Sequence, residues 1–396
     1  MDTVFDAQMA KTPSAWGAVT CLSLLTFVLV ASEFMPVSLL TPIAGELGIT
    51  EGQAGQAISI SGFFAVITSL FGNGLLRALD RRSLVFLYTG VLIVSGLAVT
   101  FAPNYLVFMI GRALIGVSIG GFWSLSTAIL ARIVAGEDLP KAIAMLQGGT
   151  AFASVIAAPL GSFLGGLIGW RGAFFIVVPI GLAALAWQFA VFPKMPARAS
   201  GSAGRMFGLL RHRIFAIGMA ATTLAFMGQF SLSTYLRPFL ENVTGLEINA
   251  LSMVLLGLGL AGLAGTSLVG FVLRSQLGAV LVGLPTILAI IALLLVAAGP
   301  FAMATAGLLI LWGFFTTPIP VAWNTWMTRV IPDDLEAGGG LQVALIQFAI
   351  TFGAAVGGLL FDASGWWSPF VLGAGLLAGS AVLAGMVAAS LERKRP

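Results

Sequence analysis

Residues 17–40 read GAVTCLSLLTFVLVASEFMPVSLL, twenty-four positions with one charge, Glu33. A strand of a membrane barrel alternates apolar and polar positions over about ten residues, whereas this run is continuous over the roughly 20 that an α-helix needs to cross a bilayer. The stretch reads as a membrane-spanning helix, and the rest of the chain repeats the pattern. Of 396 residues, 59% are hydrophobic and 9% charged, with a mean hydropathy of +1.04; a soluble domain carries about a quarter charged residues. A water-soluble globule of this composition lacks the polar groups to cover its surface. The expected fold class is all-α and polytopic.

Cutting the sequence at Pro, Asn, Gly and charge clusters leaves twelve apolar runs: Gly17 to Leu40, Ala54 to Leu76, Leu84 to Phe101, Tyr105 to Ile133, Ala142 to Ile168, Ala173 to Phe192, Ile214 to Leu236, Ala250 to Leu273, Gly278 to Ala298, Met303 to Val330, Gly338 to Phe361 and Pro369 to Leu391. An even number puts both termini on one side. With that side cytoplasmic, sixteen of the nineteen Lys and Arg fall inside, among them Lys11, Arg77, Arg198, Arg205, Arg393 and Lys394; Arg171 and Arg237 fall outside, and Arg112 lies within a span. The positive-inside rule then orients the chain with both ends in the cytoplasm. Met1 to Trp16 is mixed in charge, and no A-x-A site follows the first apolar run, so that run is expected to stay in the protein.

The longest loop, 193–213, carries Ala199-Ser200-Gly201-Ser202-Ala203-Gly204 and reads as a flexible cytoplasmic linker between a six-helix bundle at 1–192 and a second at 214–396. The halves match each other at a nearly constant offset. Gly169-Trp170 before Phe174 recurs as Gly365-Trp366 before Phe370, 196 residues on, and Arg77 with Arg274, Gly48-Ile49 with Gly245-Leu246 and Arg132 with Arg329 pair at 197. Agreement at one offset argues for duplication into two parallel repeats, with a binding site expected between them near the midplane.

A single cysteine, Cys21, excludes an internal disulfide, and a single His212 offers no metal-ligand set. The net charge of +4 lies mostly beside the spans, where it sets topology rather than binding nucleic acid. No nucleophile, base and orienting group can be assembled, which excludes an enzyme. Neither a metal nor a cofactor is expected, and the loops are too short for a soluble domain, so the expected partners are lipid, protons and a small-molecule substrate, with a monomer as the default. Apart from Arg132 and Arg329 at the cytoplasmic ends of their spans, Glu33 and Arg112 are the only formal charges in the apolar runs, each costly in hydrocarbon and therefore expected to face protein or a wet cavity. At 1.5 Å per residue both lie roughly 10 to 13 Å from the outer side and are within reach of each other. A buried carboxylic acid whose solvation and neighbouring cation change with conformation takes up and releases protons. Glu33 is the expected proton carrier, with Arg112 tuning it; a static pair, or an Arg112 that only bonds backbone carbonyls, is the alternative.

Glu33-Phe34-Met35-Pro36-Val37-Ser38-Leu39-Leu40-Thr41-Pro42, Gly111-Arg112-Ala113-Leu114-Ile115-Gly116 and Ala157-Ala158-Pro159-Leu160-Gly161-Ser162 resemble three signature stretches of the twelve-span drug:proton antiporter branch of the major facilitator superfamily. The third is similar to the Gly-Pro antiporter motif of the fifth span, with Ala158 where glycine is usual. There Pro159 bends the helix and Gly161 permits close approach, both as gating elements. The loop between spans two and three keeps Gly74, Asp80, Arg81 and Arg82 of a fuller pattern. Those three charges are candidate gate residues, or plain topology signals. Along most of the chain, including Gly120-Gly121-Phe122-Trp123, Ile156 to Arg171, Tyr235-Leu236-Arg237-Pro238 and Leu255 to Ser267, the sequence resembles bacterial purine ribonucleoside efflux pumps of that branch; sugar efflux carriers share the Glu33 stretch more weakly.

The resemblance implies export in exchange for protons by alternating access, through a cavity lined by spans one, four, seven and ten. Read at helical spacing, those spans present Glu33, Phe122, Trp123, Phe226, Gln229, Phe230, Ser233, Trp312, Phe315, Trp323, Asn324 and Trp326, with Gln56, Gln147, Thr150, Gln347 and Thr351 reaching in from spans two, five and eleven. Aromatics, amides and hydroxyls with almost no fixed charge suit a neutral heteroaromatic or polyhydroxy solute such as inosine or guanosine. A sugar or multidrug antiporter, and more remotely a membrane sensor or scaffold, are the alternatives.

Overall fold

The computed structural model describes residues 15–72, 76, 79–135, 138–195, 208–331 and 334–392. Lys11, Gly74, Arg77, Arg198, Arg205, Arg393, Lys394 and most of the 193–213 linker lie outside them. The described residues are helical, with no strand among them. Eleven helical stretches are long and apolar enough to cross a membrane. One of these, Lys141–Val191, has 51 residues, about 75 Å of helix and too long for one crossing. It breaks at Gly169, whose φ of 73° is left-handed, so it counts as two.

The spans are therefore Trp16–Ser38, Glu51–Phe71, Arg81–Thr100, Tyr105–Ser126, the two parts of Lys141–Val191, Arg213–Asn242, Ile248–Leu273, Ser275–Ala298, Ala302–Val330, Gly338–Ser364 and Ser368–Leu391, named first to twelfth below. Leu106, Phe271 and Met303 stand exposed on the outside of the bundle, as a hydrocarbon solvent allows. Polar caps start several helices. Thr50 accepts from Gln53 N–H while its own N–H donates to the Gln53 side chain, Asn104 accepts from Val107 N–H, and His212 Nδ1 accepts from Phe215 N–H, which gives the one histidine a structural task.

Two spans run past their expected ends. The first is helical over Trp16–Phe34, tightens into a 3₁₀ turn over Met35–Ser38 at Pro36, and resumes as Leu40–Leu47. The seventh stops at Ser233 and resumes as Leu236–Asn242. Arg237-Pro238 reads in sequence as the start of a loop, but proline in a first helical turn costs little, and the helix begins there instead.

Each half encloses its own core, one around Leu22, Leu92, Phe108, Phe122 and Trp170, the other around Phe215, Leu288, Trp312, Trp323 and Phe370. The repeat seen in sequence recurs as geometry. Among the described residues the only positive φ angles are at Gly48, Gly245, Gly169 and Gly365, the two glycine pairs already matched. Trp170 meets Phe174 edge-on at 6.3 Å and 84°, and Trp366 meets Phe370 at 6.2 Å and 79°. Gly116 of the fourth span lies against the Ser61 carbonyl of the second, while Gly313 of the tenth lies against the Leu258 carbonyl of the eighth. The halves themselves touch through a third such pair: Gly62 against Thr351 on the eleventh span, and Gly259 against the Val155 backbone on the fifth. A side chain at either point would hold the halves apart.

Candidate functional site

Between the halves at mid-depth, Glu33 is 4% exposed, and its Oε1 accepts a 3.2 Å hydrogen bond from Gln347 Nε2 across the interface. Phe34 and Phe230 stack beside it, also across the interface, with centroids 5.5 Å apart. Below them Ile58 packs with Ile350 and Ala354, and Gln56 Nε2 donates to the Ala355 carbonyl at 3.1 Å. At the end of the bundle beyond these, Thr50 Oγ1 donates to Asp362 Oδ2 at 2.5 Å, Gly52 N–H to Asp362 Oδ1 at 3.1 Å, and Asn242 Nδ2 to Glu51 Oε1 at 3.2 Å. Asp362 thus caps the second span from the opposite half. That end is closed, and it is the end away from the start of the first span at Trp16 and the finish of the twelfth at Leu391.

Arg112 is 1% exposed and meets Glu33 by its backbone rather than its carboxylate. The guanidinium donates to the carbonyls of Ser32 (2.8 Å), Glu33 (2.8 Å) and Ala57 (3.2 Å). The reason lies in the break of the first span: the ordinary helical donor to Ser32 O is the N–H of residue 36, which is proline and has none. Arg112 supplies that missing donor and ties the first span to the second.

A further buried charge at the interface replaces a sequence expectation. Arg237, expected in an outer loop, is 4% exposed; one guanidinium nitrogen ion-pairs with Glu241 Oε1 at 2.7 Å, and the other donates to the Ser38 carbonyl on the first span. Ser38 also has proline four residues on, Pro42. The signal lay in the i,i+4 spacing of Arg237 and Glu241 and in the two prolines of the first-span stretch. Phe34, Ser38 and Asp362 likewise belong to the interface without having been singled out.

The expected cavity set divides. Gln229, Phe230, Ser233, Phe315, Trp123, Gln56 and Gln347 are half-buried, Gln147 and Asn324 are exposed, and Gln229 Oε1 has no protein partner. Phe122, Phe226 and Trp323 lie in the half-cores instead, as do Trp312 and Trp326. Trp323 is 2% exposed, edge-on to Trp326 at 5.3 Å, which in turn stacks on Phe215 at 6.0 Å above Gly218. Helical spacing puts aromatics on one face, but burying a ring that size inside its own bundle gains more than lining a wet cavity. Of the gate candidates, Asp80 accepts from Ser83 N–H at 2.6 Å and starts the third span as its cap; that hydrogen bond holds its carboxyl below the usual carboxylate range. Arg81 is buried, with its backbone N–H donating to the Met195 carbonyl. Arg82 donates to the Phe189 carbonyl at 3.0 Å and lies over the Phe86 ring. Gly161 lets the fifth span, with Pro159 inside it, approach Ser38 of the first.

Residues 22–337 match the Major Facilitator Superfamily. The chain is 49% identical over 380 residues, 95% of its length and 94% of the relative's, to "Transcription regulatory protein OpdE" of Pseudomonas aeruginosa. It is 40% identical over 381 residues, 96% and 95% of the two chains, to "Purine ribonucleoside efflux pump NepI" of Salmonella paratyphi C. In fold it is similar, with a TM-score of 0.80 at 15% identity over 98% of this chain and 99% of the other, to a bacterial homologue of the human lysosomal transporter Spinster.

Proposed function

The chain belongs to the Major Facilitator Superfamily, and from that premise we propose that this polytopic membrane transporter exports purine ribonucleosides from the cytoplasm in exchange for protons, with Glu33 as the proton carrier and Arg112 holding it in place. The observation that carries the reading is the bond between Glu33 and Gln347, which puts a buried carboxyl of one half under the control of the other. With both termini cytoplasmic, as the Lys and Arg distribution argues, the structure is closed toward the outside of a bacterial inner membrane.

In the proposed cycle the solute enters from the cytoplasmic side while Glu33 is ionised and bonded to Gln347. Rocking of the halves about the Gly62 and Gly259 contacts opens the outer end, draws Gln347 away and exposes the carboxyl to outer water, where it takes a proton as the solute leaves. The return step carries that proton inward. Gln229, Ser233 and Asn324 supply amide and hydroxyl partners for base and sugar edges, and Phe34, Phe230, Phe315 and Trp123 supply faces for the ring. The name of the Salmonella relative supports the substrate class.

Transport of labelled inosine and guanosine into liposomes, with and without an imposed pH gradient, tests the reading in wild type beside Glu33→Gln. The expected result is uphill movement opposite to the proton, lost in Glu33→Gln while counterflow of labelled solute persists. No nucleoside movement by folded protein would overturn the substrate class and turn attention to sugars and neutral drugs. Uphill transport intact in Glu33→Gln would overturn the role of that residue.

A further inference from the structure

We infer that Arg237 is a positioning residue of the transport cycle, a latch carried by the seventh span that holds the outer end shut by donating to the Ser38 carbonyl of the first. Three observations carry this. The acceptor is a carbonyl with no helical alternative, because the residue that would donate to it is Pro42. The donor is held in place from its own helix by Glu241 at 2.7 Å, so the ion pair travels intact with the seventh span, and only the bond to Ser38 has to break when the halves part. A second tie, from Thr50 and Gly52 to Asp362, closes the same end between the second and eleventh spans.

Arg112 and Arg237 then divide one task. Each caps a carbonyl of the first span that a proline leaves without an N–H, but Arg112 does so from its own half and Arg237 from the opposite one. The first bond persists through the cycle; the second is made and broken. A guanidinium–carbonyl hydrogen bond weakens steeply once distance and angle depart from a narrow range, which makes the closed contact two-state rather than graded.

The inference rests on alternating access, yet its test needs no substrate. Spin labels at Pro103→Cys and Phe301→Cys, one loop position on each half at this end, in a Cys21→Ser background, report the outer opening by double electron–electron resonance in liposomes. Wild type is expected to show mostly the short distance. Arg237→Met with Glu241→Gln, which removes the pair without stranding a carboxylate, is expected to lower the closed-to-open ratio about tenfold, the weight of a hydrogen bond to a charged group. Arg237→Lys keeps the charge and one donor direction and is expected to restore most of it, with turnover affected more than apparent KM. An unchanged distance distribution in the double variant overturns the latch, whatever transport does. If that variant is not recovered folded, Arg237→Lys decides: a small shift toward the long distance supports the latch, and none overturns it. A failed nucleoside assay beside a shifted distribution would count against the substrate alone.

Discussion

Replacing Arg112 by Met should destabilise the protein much less once Pro36 is replaced by Ala. In the wild type the Ser32 carbonyl receives one donor, the Arg112 guanidinium at 2.8 Å, because Pro36 cannot donate. Arg112→Met leaves that buried carbonyl unpaired. The Glu33 and Ala57 carbonyls also lose a guanidinium donor, but they lose it with either residue at position 36, so their loss cancels in the coupling. An unpaired buried acceptor costs about 1–3 kcal/mol, and hydrogen bonds between membrane helices couple at about 0.6 kcal/mol on average, more when a charge takes part. Pro36→Ala restores an N–H four residues from Ser32, so the two substitutions should couple by about 1 to 2 kcal/mol, a factor of roughly 5 to 30 in the folded-to-unfolded ratio. Equilibrium unfolding in mixed detergent micelles, read by tryptophan fluorescence for wild type, both single variants and the double, gives this coupling directly. Additivity to within about 0.5 kcal/mol would refute the account of Arg112 as a substitute for the missing proline donor.

Gly116→Ala and Gly313→Ala, whose new Cβ atoms strike the Ser61 and Leu258 carbonyls, should each cost about 1–3 kcal/mol and by similar amounts, while Gly90→Ala, with nothing within 4 Å, should be neutral or stabilising; thermal melts compare the three. Asp80→Ala should cost about 1 kcal/mol for the lost cap. Because the Asp80 carboxyl is held below its unfolded range, that advantage is present above the carboxylate range and disappears as pH falls through it, which melts of both proteins against pH would show. Trp323→Phe should lower the melting temperature and leave apparent KM for the transported solute near wild type, whereas Asn324→Ala should raise KM; a large KM change in Trp323→Phe would put that ring in the site after all.

Composition and run length made the membrane class legible, and the matched glycines made the duplication legible, because each reports a local requirement: hydrocarbon thickness in one case, a left-handed turn in the other. Glu33 and Arg112 stood out because charge inside an apolar run is costly. Backbone bonding by Arg112 stood among the alternatives, but the sequence did not single it out, since a guanidinium that serves backbone carbonyls leaves no mark on the side chains it touches. Arg237 was misplaced because a charge next to proline at the end of an apolar run has the pattern of a loop, and only the tertiary contact with Ser38 reveals it as buried. The aromatics of the tenth span show the limit of periodicity: spacing places Trp323 and Asn324 on adjacent positions of one helix, but which of them turns inward depends on the Trp326 and Phe215 rings packed beneath.

The contacts of Gly62 and Gly259 make the chain a dimer in disguise. Two copies of a six-span ancestor related by a two-fold axis along the membrane normal would touch through the same surface twice, each presenting its glycine to the other. A single chain frees its two halves from having to stay alike, and the buried charges show the difference: the positions 197 residues after Glu33 and Arg112 are Phe230 and Leu309, and the position 197 before Arg237 is Leu40. A symmetric ancestor would have carried either two copies of each charge or none. The present chain keeps one of each, so that a single ionisable carboxyl in one half faces a hydrogen-bonding partner in the other, an asymmetry that no homodimer of identical halves could hold.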